Sequence, residues 1–421
     1  MAGRKRAWSE GSREDDVSDG ELVRIGERYD DDDDQEFHDD VSDEELLRLA
    51  DQGQRDLSTV TSRFMKVSPQ TSSITPIEVY VPNQTEFIDL TRGFVELDLA
   101  FKTTGNANLT SRADDVNRML SPVNNIAHSL FRQINIKLNV TLITEQVDMY
   151  HLKAYIQTLL NFDREDGEMD SSQDRDGFKI LLNPVALYFN AEANPGAEEV
   201  RQHVDDIKLT FFVSSVSINP SVYDNTMSII TKSPAKYPII RSEMRQFLLD
   251  NGATSKEIIN PFNGKIPQRI VLGILATTAF NGQYDNDPFA FGQFGVKWVK
   301  QIWNGEEYPY ETMQLNTGNG YRDMMGYHRF LEATGCLYRI GGNMVRATDW
   351  GHGKNCTLFA WSNVPNGRHD DPILLPKEAG FINIQLKCAA QTAQRTIVIY
   401  SEYESMLEID GFKGGVSVDV N

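Results

Sequence analysis

From Ile74 onward, apolar residues recur mostly at every second position, the spacing of strands that keep one face in a core. Ile77, Val79 and Val81 alternate with Glu78 and Tyr80 and run into a turn around Pro82-Asn83. Residues 94–101 form a second such stretch, with Glu96 and Asp98 on its polar face. Ile134, Ile136, Leu138 and Val140 alternate with Asn135, Lys137 and Asn139, which predicts a half-buried strand. The same reading predicts strands over 207–213, 270–277, 295–303, 357–361, 381–388, 396–400 and 416–420. Gly, Asn, Pro and Asp punctuate the intervals, and Asn304-Gly305 directly after a strand predicts a type I′ hairpin.

Helical spacing is rare. The best case covers 147–160, where Leu152, Tyr155, Ile156 and Leu159 fall at i, i+3, i+4 and i+7. A shorter helix is predicted over 124–131, and 242–249 reads as either a helix or an extended linker. Many short strands with occasional helices in their connections predict an all-β protein, a sandwich or jelly roll rather than a parallel α/β sheet. A jelly roll holds about eight strands, so the body suits two in tandem, with the seam near residues 237–260. The expected division is an acidic tail over 1–60, a first jelly roll over 61–245 and a second over 246–421.

Charge changes this picture only at the N-terminus. The formal net charge is −20, but residues 1–60 hold 20 acidic and 8 basic residues, a balance of −12. The remaining 41 acids and 33 bases leave the body at −8. A mildly acidic body has no broad phosphate-facing surface, so sequence-specific nucleic-acid binding is not expected. Five consecutive carboxylates, Asp30, Asp31, Asp32, Asp33 and Asp34, with few large hydrophobes around them, predict a disordered tail. Within it, Val17-Ser18-Asp19-Gly20-Glu21-Leu22-Val23-Arg24 is echoed by Val41-Ser42-Asp43-Glu44-Glu45-Leu46-Leu47-Arg48. Ser42 and Glu45 have capping-box spacing. The repeat reads either as a linear motif with acidophilic-kinase sites at Ser18 and Ser42, or as a solvated spacer of biased composition. Gly3-Arg4-Lys5-Arg6 has the form of a nuclear-import signal, a short pattern common by chance.

Candidate chemistry is sparse. Three cysteines, Cys336, Cys356 and Cys388, form no CxxC pair, which predicts reduced thiols acting as small hydrophobes. No signal peptide opens the chain, and no apolar run approaches the roughly 18–20 residues of a membrane span. The sequence contains no phosphate-binding glycine loop, no GxSxG and no HExxH. His352 and Cys356 have ligand-like spacing with Cys336 upstream, but zinc needs about four convergent ligands. His128 and His151 read as histidines packed at helix edges. Asp285-Asn286-Asp287 resembles half a calcium loop without its glycine and terminal glutamate, so turn chemistry accounts for it better. No catalytic, cofactor-binding or metal-ligating residues are therefore nominated. The aromatic–glycine loop with Phe280, Phe289, Phe291 and Phe294 reads either as a subunit contact or as a satellite core tucked under the loop.

Several stretches resemble the hexon-like, double-jelly-roll major capsid proteins of Polinton (Maverick) elements and adintoviruses. They run from Pro122 to Ile134 (PVNNIAHSLFRQI), from Tyr155 to Phe162 (YIQTLLNF), and from Asn219-Pro220-Ser221 to Tyr237-Pro238-Ile239 and Arg241. The most specific runs from Lys265-Ile266-Pro267-Gln268-Arg269 through Ala279-Phe280-Asn281-Gly282 to Asn286-Asp287-Pro288-Phe289. The last is Tyr400 to Asp410 (YSEYESMLEID). Together these span about residues 60–415 in the family's order. Val140 stands where the family's Leu-Asn-Gly turn has its glycine. The acidic tail lies outside the resemblance.

The resemblance implies a non-enzymatic structural subunit that forms pseudo-hexameric trimers and assembles an icosahedral shell with penton and minor capsid proteins. It implies a place in the virion, with assembly in the host nucleus or cytoplasm. A tail of this charge suits a basic core protein as partner, or a role in repelling nucleic acid. Three rival readings remain open: a penton or minor capsid subunit, a carbohydrate- or receptor-binding β-sandwich, and an enzyme on a β scaffold.

Overall fold

The computed structural model describes residues 59–418 apart from 71–75, 83, 103–119, 124, 145–147, 163–178, 183–188, 192–202, 284–285, 310, 316–323, 340, 365–378 and 411–414. Strands dominate. β1 (Thr59–Val67), β2 (Phe87–Lys102) and β3 (His203–Ile218) form an antiparallel sheet in the order β1–β3–β2. The register places Val67, Phe211 and Val95 side by side across it, and this inward face buries Leu209, Phe211 and Val213. The outward face carries Thr210, Glu96 and the exposed pair Lys208–Asp98 at 3.9 Å. Smaller sheets flank it: Phe131–Ile134 and Ile77–Glu78 both pair with Lys179–Leu182, and Leu120–Pro122 pairs with Phe189–Ala191.

Two helices follow different rules. α1 (Tyr150–Asn161) buries Leu152, Ala154, Ile156, Leu159 and Leu160, the stripe expected from its 3.6-residue spacing. α2 (Pro220–Lys232) buries nothing, although Asn219 caps it by accepting from the Ser221 N–H at 3.1 Å and Pro220 opens its first turn.

The C-terminal part is a sandwich. One sheet runs β4 (Ala235–Leu249), β10 (Arg395–Ile409), β6 (Arg269–Ala276), β8 (Leu358–Ser362), with Val416–Val418 also on β10. The other runs β5 (Ser255–Ile259), β9 (Ile382–Cys388), β7 (Val296–Trp303), with Glu306–Glu307 and Met313–Gln314 on β7. β9 alternates buried and half-buried residues, Ile382, Ile384 and Leu386 pointing inward. β6 is different: Arg269 to Leu275 are all buried, the mark of a strand covered on both faces. α3 (Met324–Ala333) packs against the neighbouring β8, and its Gly326 admits Trp350: a Cβ there would meet the indole at 2.4 Å. Residues Leu57–Asn421 fold as one compact unit.

Two local expectations are corrected and a third is met. Residues 242–249 are neither helix nor linker but the second half of β4, which pairs without a break from Ala235 opposite Ile409 to Leu249 opposite Arg395. Alternation over 134–140 does not yield one strand. Lys137-Leu138 turns back onto Thr141-Leu142 through Asn139, at φ 53°, and Val140, which is 93% exposed. Only the first turn residue needs a left-handed backbone and asparagine supplies it, so the turn closes without the family's glycine. The hairpin at Asn304-Gly305 forms with both residues at positive φ, as a type I′ turn requires.

Candidate functional site

The four phenylalanines of the aromatic–glycine loop divide into two kinds. Phe289 and Phe291 are 2% and 0% exposed and belong to the main core. Phe289 stacks on Tyr155 of α1 with ring centroids 4.2 Å apart, and Phe291 fills the space that Gly273 of β6 leaves. These two rings are buried inside the chain. Phe280 and Phe294 are half-buried; the Arg395 guanidinium lies 4.2 Å over the Phe294 ring. The loop is thus a joint that fastens α1 onto the C-terminal sandwich.

A buried polar chain reinforces that joint. Arg269 and Glu402 sit opposite each other on β6 and β10, with contacts of 2.6 and 2.7 Å. Tyr400 donates to the other Glu402 oxygen at 2.5 Å, and Gln157 of α1 donates to the Tyr400 hydroxyl at 3.1 Å. Arg269 also reaches the Thr334 carbonyl at 3.3 Å, just past the end of α3. Burial pushes the Tyr400 phenol well above its ordinary range, and the Glu402 charge adds to that. These contacts bind α1, β6, β10 and the segment after α3 together. On the same helix, the Met344 N–H donates to the Leu159 carbonyl at 3.1 Å, and Cys336 Sγ lies 3.7 Å from the Leu160 carbonyl.

The remaining chemical candidates do not converge. His352 Nδ1 lies 3.4 Å from Gln293 Oε1, Cys336 is buried beside α1, and Cys356 is half-buried. Among the described residues no three His, Cys, Asp or Glu side chains are grouped to hold a metal ion. Burial, with a lesser push from Asp349, raises the Cys356 thiol to about 12. His128 Nδ1 meets the Tyr150 hydroxyl at 2.6 Å. His151 is buried with neither ring nitrogen bonded among the described residues, and burial lowers its pKa to about 4. Asp287 accepts from the Phe289 N–H at 2.9 Å, which is turn chemistry; Asp285 lies outside the described residues. Ser18, Ser42, Asp30 to Asp34 and the basic cluster Gly3–Arg6 also lie outside them.

Where the sequence pointed to chemistry the structure shows packing, and where it was silent the structure shows surface. The outward face of the first sheet holds an aromatic cluster. Phe94 stacks on Phe212 at 4.7 Å and meets Phe64 edge-on at 5.5 Å, while Arg92 lies 5.6 Å over the Phe64 ring. Phe64 and Phe94 are 49% and 37% exposed. Two shallow hollows of about 260 and 400 Å³ share Phe87 and Val216 as a common wall, and the smaller reaches Tyr223 of α2. On the C-terminal sandwich, Ile259 and Phe381 are 71% and 64% exposed beside the β5–β9 pairing. Sequence reasoning passed over α2, although Asn219-Pro220 is a helix-start signal. No helix among the described residues is long and apolar enough to cross a membrane.

Comparison with known proteins places this architecture. No protein-family model matches the chain. A curated Caenorhabditis elegans protein, uncharacterized protein F54H12.2, is 23% identical over 345 residues, covering 69% of this chain and 80% of that one. Among solved structures, a chain of the PBCV-1 virus capsid matches with TM-score 0.54 and 11% identity, covering 87% of this chain and 98% of that one. A chain of the Sputnik virophage matches with TM-score 0.53 and 10% identity, covering 86% and 89%. The Faustovirus major capsid protein matches with TM-score 0.50 and 7% identity, covering 84% and 91%. At such identities the likeness is one of fold, and it extends over nearly the whole length of both partners. The chain is an all-β protein with the tandem jelly-roll fold seen in these capsid structures.

Proposed function

We propose that the protein is a non-enzymatic capsid subunit, a major capsid protein whose trimers assemble into an icosahedral shell. The observation that carries this reading is the fold match to a PBCV-1 capsid chain, which spans 87% of this chain and 98% of that one. A single jelly roll with decoration would not be matched over such a length, which disfavours the penton reading. The same role is supported by the buried chain of Arg269, Glu402, Tyr400 and Gln157, which joins elements, and by exposed apolar surfaces suited to protein contacts.

In this reading the two jelly rolls divide along α2. All partners of β3 lie N-terminal to it and all partners of β4 lie C-terminal. The first jelly roll then ends at Ile218, and the second begins at Ala235. The Polinton and adintovirus affiliation rests on the sequence motifs, and a nematode relative agrees with a group of elements carried in animal genomes. Penton and minor capsid proteins are the natural partners of such a shell, and residues 1–60, at −12, suit a basic core protein.

Native mass spectrometry and light scattering of the full chain test the proposal. A trimer, or shells on raising protein or salt concentration, supports it. A pentamer moves the chain to the vertex class, and a strict monomer under every condition refutes it.

A further inference from the structure

α2 is an amphipathic helix that buries none of its residues. At about 100° per residue, Val222, Tyr223, Thr226, Met227, Ile229 and Ile230 fall within one arc of about 160°. Asp224, Asn225, Ser228, Thr231 and Lys232 fill the opposite arc. An arc of this kind ordinarily faces a core. Here none of its residues is buried, and Val222, Tyr223, Met227 and Ile229 are 37, 37, 38 and 55% exposed.

The arc continues onto the sheet. Tyr223 meets Phe87 edge-on at 5.7 Å, and Phe87 is the wall shared by the two hollows. The larger hollow ends at Arg92, which covers Phe64 of the aromatic cluster. From their fractional exposures, Val222, Tyr223, Met227, Ile229, Phe64 and Phe94 together expose on the order of 500 Å², at the upper end for a monomer's largest apolar patch. That is more than half of the roughly 800 Å² that each partner contributes to a stable protein interface.

We propose that α2 and the adjoining aromatic face are buried against a second copy of this chain in the assembled oligomer. The proposal rests on the capsid-subunit reading and names the surface that reading requires. The composition selects this occupant. The arc carries no charge and holds Tyr223 and Met227, with Phe64, Phe87 and Phe94 beside it, and aromatic residues and Met without charge mark an interface centre. A nucleic-acid site would need clustered Lys and Arg, and a membrane-surface helix would need them along its polar arc. That arc holds Lys232 alone, set against Asp224.

The test is the double variant Met227→Glu/Ile229→Glu in the full chain, followed by native mass against concentration. Two carboxylates in a dry contact weaken association at least about a hundredfold. Both side chains lie outside the core, so melting at a dilution where wild type and variant are both monomeric stays unchanged. Hydrogen exchange over residues 220–232 of the wild type gives an independent readout: protection rises with oligomer mass and is lost on dilution. A variant that assembles like the wild type, or a helix exchanging equally fast in oligomer and monomer, overturns the interface and leaves the capsid reading standing. A wild type that stays monomeric throughout overturns both. Protection gained from anionic phospholipid vesicles without a change in mass gives the face to a membrane and also overturns the proposal. If the variant fails to fold, the exchange comparison on the wild type decides.

Discussion

The ion pair between Arg269 and Glu402 offers a quantitative test of how the chain holds α1 against the C-terminal sandwich. The side chains are 6% and 7% exposed, and they face each other across the β6–β10 pairing at 2.6 Å. At an effective dielectric of about 20 their attraction is about 6 kcal/mol before the cost of drying both groups. That cost is several kcal/mol per ion, so the pair as a whole contributes little net stability. Removing one partner is another matter. Arg269→Met strands a carboxylate whose remaining partner is the Tyr400 hydroxyl, itself held by Gln157. The expected cost is about 3–5 kcal/mol, and for a body of this size about 5 °C in melting temperature. Glu402→Leu should cost a similar amount. The double variant Arg269→Met/Glu402→Leu should fall within about 1 kcal/mol of the wild type, because two apolar side chains leave no buried charge unpaired. Urea unfolding of the four proteins gives the cycle. Single variants that cost less than about 1 kcal/mol, or a double variant that costs the sum of the two, would refute the picture of an enclosed pair.

Three further outcomes follow from the packing. His151 has a folded pKa of about 4, against about 6.5 in an unfolded chain, so the unfolded state takes up the proton first as pH falls. Stability is therefore full above about pH 6.5 and drops by about 3 kcal/mol on the way to pH 4, and His151→Phe should flatten that slope in urea titrations. An unchanged slope would mean that other groups set it. Gly273→Ala places a Cβ 2.4 Å from Phe291, so calorimetry should show about 1–3 kcal/mol of destabilisation, part of it recovered by Phe291→Leu. Additive losses would separate the two sites. Cys336 and Cys388 are buried and the Cys356 thiol is pushed up to about 12, so an aromatic disulfide reagent at pH 8 should find no fast thiol in the native protein and three after unfolding. A thiol that reacts within seconds in the native state would contradict this burial.

Local patterns were legible wherever one physical constraint dominated. The 3.6-residue stripe of α1 was readable because a helix packed on one side must repeat that way. Asn304-Gly305 was readable because few residue pairs accept positive φ twice. Alternation misled over 134–140, where Asn139 turns the chain back on itself, and 242–249 read as helix or linker because the apolar pattern of a short run does not identify a strand. The aromatic loop shows the limit most plainly. Its composition allowed a contact surface or a buried core, and only the position of α1 over Phe289 and of Gly273 beneath Phe291 puts those two rings in the core.

By itself the sequence determined the all-β class, the reduced thiols, the concentration of charge before residue 60, and motifs resembling one capsid family. These follow from composition and short-range periodicity, which act along the chain. Tertiary structure alone decided that β4 is continuous with the C-terminal sandwich and that Arg269 finds Glu402 over a hundred residues away. It also decided that, among the described residues, α2 buries none of its apolar arc. Pairings between distant segments depend on which surfaces remain after each element has packed, and that is a property of the assembled fold rather than of any stretch of residues.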